Sequence, residues 1–217
     1  MKALRVLRMV RQKEQDNDEV KYSDYDVQGA INEALRYLNI SLANKGSEYL
    51  QKVEVFDQNI INAQIMAENE ENAENEEYEP KELVDFAATG VALPEDYISL
   101  IDIQRLSDGY HLYPATSLIE ATRDDGEGKY IIIGDKIYVK GKSFQLCYYR
   151  MIPAVEDFKQ DRIDLPEIYF DPLVKLSRLV LNNADVDTMT QAVNTAVERT
   201  MPRRRYTNSR QKMPFDL

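Results

Sequence analysis

The sequence predicts an α+β fold: an antiparallel helix bundle from the N- and C-terminal segments, an antiparallel β module inserted between them, and an extended basic C-terminal tail. Three observations predict it. Apolar residues recur at helical spacing near both ends of the chain, and β-prone runs fill the middle. Two turns of the form Leu-Pro-Glu-x-Tyr, Leu93-Pro94-Glu95-Asp96-Tyr97 and Leu165-Pro166-Glu167-Ile168-Tyr169, stand where one pattern gives way to the other. The expected organisation is a helical domain from residues 1–50 and 164–202, a β-rich insertion from 51–163 with an acidic loop at 68–79, and a tail from 203–217.

Taken in order, residues 2–13 read as a short helix, with Leu4, Leu7 and Val10 or Arg11 marking one face. Residues 15–19 are polar and read as a loop. Ser23 is an N-cap candidate and Asp26 completes a capping-box pattern. Val27, Ile31, Ala34, Leu35, Leu38 and Leu42 then form one stripe of a helix that Gly46 ends. Residues 51–56 alternate like a strand, and 60–67 fit a strand or a helix equally well. The run 68–79 holds seven glutamates and, apart from Ala73 and Tyr78, nothing apolar. It reads as a solvated, disordered loop, because it buries nothing to offset its ordering entropy.

Leu93-Pro94 turns the chain into a β-prone run through Ile98, Leu100, Ile101 and Ile103. Across Gly134-Asp135, Tyr130-Ile131-Ile132-Ile133 faces Ile137-Tyr138-Val139, as hairpins with two-residue turns do. Gly141 makes a second turn before residues 144–149, so three consecutive antiparallel strands are expected. Pro166 suits a first helical turn and Glu167 its positive end. Tyr169, Leu173, Leu176, Leu179 or Val180, and Asn183 continue at helical spacing, with Pro172 leaving the start open. A last helix runs from Asp187 or Thr188 through Met189, Val193, Ala196 and Val197 until Pro202 stops it.

Composition removes several classes of function. The net charge of −11 argues against a protein that grips nucleic acid over its whole surface. The charge is uneven: no Lys or Arg occurs from residue 54 to 79, whereas 199–214 carries six basic residues and no acidic one. No apolar run approaches the roughly 18 residues of a membrane span, and Arg5, Arg8 and Arg11 interrupt any signal-peptide core. The single Cys147 cannot form an internal disulfide and reads as a small buried hydrophobe. The single His111 reads as a strand or loop histidine, since no Gly-x-Ser-x-Gly elbow accompanies it. One His and one Cys are too few for zinc, and no phosphate loop is present. The carboxylate pairs Glu95/Asp96, Asp124/Asp125 and Asp161/Asp164 are what 38 acidic residues produce by chance. No catalytic residue, metal or cofactor is expected. Fourteen tyrosines against no tryptophan fit a protein that contacts other proteins.

These motifs, in this order, resemble the head-to-tail connector (adaptor) proteins of tailed bacteriophages. The matching residues are Leu93-Pro94-Glu95-Asp96-Tyr97, Tyr130-Ile131-Ile132-Ile133-Gly134-Asp135-Lys136-Ile137-Tyr138, Leu146-Cys147-Tyr148-Tyr149-Arg150 and Asp164-Leu165-Pro166-Glu167. The helix at 25–45 is similar in placement, while the stretch 60–85 is longer and more acidic than the family's usual connection. The resemblance implies a structural virion protein of the neck: a homo-oligomeric, dodecameric ring that docks on the portal protein. Such a ring would seat the next tail component (tail tube, nozzle or stopper) and let genomic DNA pass without sequence-specific binding. Candidate portal-docking residues are Arg203, Arg204, Arg205, Tyr206, Arg210, Phe215 and Leu217, on a tail expected to fold on its partner. Candidate partner or channel contacts are Glu68, Glu70, Glu71, Glu74, Glu76, Glu77 and Glu79. Two other readings stay open: a nucleic-acid-binding module using the basic tail, and a wall hydrolase using Glu95 or Glu167.

Overall fold

The computed structural model describes residues 1–75, 77–123 and 128–200. Helix α1 (Ala3–Glu14) opens the chain and α2 (Asp24–Asn44) follows. Ser23 caps α2 as its spacing predicts: its hydroxyl accepts from the Asp26 N–H at 3.1 Å, and the Asp26 carboxylate accepts from the Ser23 N–H at 2.9 Å. At the other end Gly46, with φ +73°, sends its N–H to Ala43 O while Ser47 bonds to Leu42 O, a Schellman cap. The whole predicted stripe of α2 is buried. In α1 the buried face is Ala3, Val6, Leu7, Val10 and Arg11, with Leu4 only half-buried.

Helices α5 (Phe170–Leu181) and α6 (Val186–Thr200) complete a core shared with α1 and α2. Pro166 precedes a 3₁₀ turn, Glu167–Tyr169, and Pro172 is the third residue of α5. Asn183, expected on the apolar stripe, instead takes φ +51° and closes α5 as a left-handed cap. Asp185 caps α6 by accepting from the Thr188 N–H at 2.7 Å. Ile152, Val155 and Ile163 also enter this core. The N-terminus is sewn in by backbone: the Met1 amine donates to Ile163 O at 2.7 Å, and Lys2 bridges Arg162.

A second core lies between two sheets. One has the order β1 (Gln51–Asp57), β7 (Ser143–Arg150), β3 (Tyr97–Arg105). The other runs β2 (Val91–Ala92), β6 (Lys136–Val139), β5 (Lys129–Ile133), β4 (Tyr113–Pro114), with the short helix α4 (Leu118–Thr122) ahead of β5. The β5–β6 hairpin turns at Gly134-Asp135 as predicted. Strand β7 does not extend it. After Gly141 the chain crosses to the other sheet, so the expected run of three paired strands is corrected to two plus one. The pairing of β4 with β5 is parallel, so the β region is not wholly antiparallel. The crossover lets Phe144, Leu146 and Tyr148 of β7 face Ile137 and Val139 of β6 across the core. Phe56 stacks on Phe144 at 5.0 Å and Phe86 meets it edge-on at 5.4 Å. Cys147 points to the opposite face and is half-buried rather than buried.

Candidate interaction surfaces

The ambiguous stretch at 60–67 belongs to helix α3 (Gln58–Glu71), capped by the Asp57 carboxylate. The acidic run is therefore helical through Glu71, which corrects the expectation of a loop from residue 68. No residue of α3 is buried. Polar bonds to the returning segment 81–86 hold it instead. The Asn62 side-chain amide donates to Val84 O at 2.9 Å and its carbonyl accepts from the Val84 N–H at 2.8 Å. Asn69 treats Lys81 in the same way, at 2.9 Å in both directions, and Gln58 accepts from the Phe86 N–H.

Helix α2 repeats the arrangement. Asn32 exchanges both bonds with Val155, Asn39 does so with Ile152, and Gln28 donates to Val155 O and Glu156 O. The spacing Gln-x3-Asn-x6-Asn is identical in the two helices. Seven helical residues rise about 10.5 Å, and three extended residues span about 10 Å. Two asparagines seven apart thus meet two peptide groups three apart. Sequence reasoning missed these six residues; the repeated spacing was the available signal.

The first Leu-Pro-Glu-Asp-Tyr turn is locked to strands β1 and β7 of the first sheet by Asp96. Its carboxylate accepts from the buried Tyr148 hydroxyl at 2.7 Å and from Lys52 Nζ at 2.9 Å. Burial pushes the Asp96 carboxyl up, but the Tyr148 and Lys52 bonds outweigh it and hold the group below its ordinary range. Lys52 is raised, chiefly by its bond to Asp96. The second turn is held differently: Leu165 is buried and Glu167 pairs with Arg5 at 2.7 Å. Of the three acidic residues in the two turns, Asp96 and Glu167 thus fasten their turns. Glu95 has no ion-pair partner among the described residues.

His111 is exposed and lies 2.8 Å from Asp102 on the outer face of the first sheet. No group of three or more His, Cys, Asp or Glu that could hold a metal occurs among the described residues. In the acidic run, Glu68 pairs with Lys81 at 2.5 Å, while Glu70, Glu71, Glu74, Glu77 and Glu79 have no ion-pair partner among the described residues. Glu76 and the tail candidates Arg203, Arg204, Arg205, Tyr206, Arg210, Phe215 and Leu217 lie outside the described residues. No helix among those described is long and apolar enough to cross a membrane.

The family model described as SU10 adaptor protein matches residues 1–214. Among curated proteins none matches the chain.

Proposed function

The chain belongs to the SU10 adaptor protein family, a family of phage head-to-tail adaptors, and from that premise we propose that it is a ring-forming structural connector of the virion neck. In this reading copies of the chain assemble on the portal protein, seat the next tail component and leave a channel for the genome. The family match along nearly the whole chain carries the proposal. The ordering of the motifs supports it, as does the use of Asp96 and Glu167 to fasten their turns. The segment 203–217, with its five basic residues, is the proposed portal-docking element, and the acidic arm around α3 is a proposed contact with a neighbour.

Deletion of residues 203–217 tests this reading. The truncated chain is expected to keep the circular dichroism and thermal transition of the full chain and to lose binding to portal-bearing heads. Portal decoration at full strength by the truncated chain would refute the docking assignment. Failure of the intact chain to bind portal would refute the connector reading itself.

A further inference from the structure

Strand β1 and helix α3 leave an apolar face open. Val53 and Val55 are each 54% accessible, Ile60 is 62% and Met66 51%. Strand β1 is an edge of its sheet, paired only with β7. On α3 the exposed residues Ile60, Ala63 and Ala67 follow helical spacing, and the same stripe runs on into Glu70. Concentrated exposed apolar groups mark contacts. The charge along this arm is of one sign, since no Lys or Arg occurs from residue 54 to 79. Two basic groups stand beside it. Lys81 is taken by Glu68 at 2.5 Å. Lys142 meets Gln58 through its backbone, at the end of α3 away from the glutamates. A cover for the face must therefore bring apolar side chains together with positive charge.

The chain carries such a segment and delivers it beside the arm. Residues 201–217 hold five basic residues against Asp216 alone, together with Met201, Tyr206, Met213, Phe215 and Leu217. Helix α6 runs in the same sense as α2, with Asn194 meeting Ser41 at 3.3 Å and Glu198 meeting Lys45 at 3.4 Å. Thr200, its last residue, therefore lies at the end of α2, from which the 3₁₀ turn Glu48–Leu50 leads directly into β1. Glu48, exposed and without an ion-pair partner among the described residues, stands beside that exit. From Gln51 to Asp57 the strand spans about 20 Å, and α3 adds about 20 Å. Residues 201–212, fully extended, reach about 40 Å. Arg210 and Lys212 thus come within reach of the glutamates even where that path is drawn out straight.

We propose that in a free copy the segment 201–217 lies along β1 and α3 of the same chain, as the cover of their apolar face. Arg203, Arg204 and Arg205 pass Glu48, while Arg210 and Lys212 meet Glu70, Glu71 and Glu74. Tyr206 covers the valines of β1, and Met213 and Phe215 cover the apolar stripe of α3. Because the partners belong to one chain, their effective concentration is high and a modest contact suffices. The contact itself stands apart from the connector reading, but its consequence rests on that reading. The portal and the arm compete for one tail, so a portal that takes the tail uncovers the arm for a neighbouring copy.

Hydrogen exchange of the α3 amides tests it, in the full chain and in the chain ending at residue 202. Loss of residues 203–217 is expected to speed exchange across α3 at least about tenfold and to leave the α2 amides unchanged. In the full chain, reversal of the arm (Glu70→Lys with Glu71→Lys and Glu74→Lys) should do the same, as should reversal of the tail (Arg210→Glu with Lys212→Glu). Each reversal gives both partners one sign. The three arm side chains are exposed, so circular dichroism should be unchanged. A form carrying both reversals should recover the parent's protection, because opposite signs meet again. Protection should weaken with salt and stay constant on dilution of a chain whose mass is that of one copy. Exchange unmoved by the deletion, or a doubly reversed form that stays unprotected, would overturn the proposal. Protection that fades on dilution would place the tail on another copy and overturn it too. The arm-reversed chain should bind portal-bearing heads more tightly than the parent, and equal affinity would overturn the competition. An intact chain that binds no portal refutes the connector reading and leaves the exchange result standing, whereas a tail that never protects α3 leaves portal binding standing.

Discussion

Asn62 and Val84 exchange two hydrogen bonds, side-chain amide to peptide in both directions, and Asn32 and Val155 exchange the same two. The bonds are alike but their surroundings differ. Ile152 and Val155 are buried in the helical core, whereas α3 has no buried residue and Leu83 beside Val84 is 46% accessible. Identical polar clamps should therefore have unequal energetic weight.

Replacing Asn39 with Ala leaves the buried peptide of Ile152 without its partners. It is expected to destabilise the fold by about 2–3 kcal/mol. Asn69→Ala frees an exposed peptide that water can satisfy, and should cost under about 1 kcal/mol. Denaturant unfolding measures both. In the second variant, hydrogen exchange at the Lys81 amide should rise while the α2 amides stay protected.

Arg11 is the one buried arginine among the described residues. Its guanidinium donates to the Asp16 carboxylate at 3.2 Å, to Tyr22 O at 3.0 Å and to Asp24 at 2.6 Å, fastening the loop between α1 and α2. Arg11→Ala removes these three bonds but leaves Asp16 accepting from the Lys21 N–H at 2.7 Å and the Tyr22 N–H at 2.9 Å, so it should lower the unfolding midpoint without freeing the loop altogether. Arg11→Ala combined with Asp16→Ala should destabilise less than the sum of the two single variants, which a double-mutant cycle measures.

Asp96 links stability to acid. Its carboxyl is held below the ordinary value in the folded chain, so its contribution is complete above the unfolded pKa of about 4 and disappears as pH falls through the lower folded pKa. Asp96→Asn should lower stability at pH 7 by about 1–3 kcal/mol. It should also flatten the decline below about pH 4 relative to the parent. An identical acid limb in parent and variant would show that Asp96 does not carry this linkage.

Gly90 takes φ +68° where a Cβ would sit 2.9 Å from the Tyr138 ring and 3.2 Å from Ile137 O. Gly90→Ala combines left-handed strain of about 1–2 kcal/mol with a clash against β6. Gly134 has the same positive φ but open space around it, so Gly134→Ala should carry the backbone cost alone. A lower melting temperature for the Gly90 variant than for the Gly134 variant is expected.

Locally encoded features were legible in advance. The Ser23–Asp26 capping box, the α2 stripe, the Gly46 terminus and the Gly134 hairpin each depend on residues within a few positions of one another. The acidic stretch was misread for the opposite reason. Residues 68–71 bury nothing of their own, and their helix is held by peptides of residues 81–86 that return across a loop. Candidate contacts in the arm are legible as a charge run, but the meeting of the N-terminus with residues 161–165 is not. Lys2 and Arg162 are neighbours only because the N-terminus pairs with the internal segment at residues 161–165.

By itself the sequence determined the α+β class, the coarse order of helices, strands and helices, several caps and turns, and the adaptor family, because these follow from short-range periodicity and from motifs in series. Only the tertiary structure decided that β6 and β7 part into two sheets, that Asp96 fastens its turn through Tyr148, and that two helices grip extended chain through the same asparagine spacing. Those outcomes depend on which distant peptide or face lies opposite a residue. A one-dimensional pattern does not carry that information until packing of the two cores fixes it.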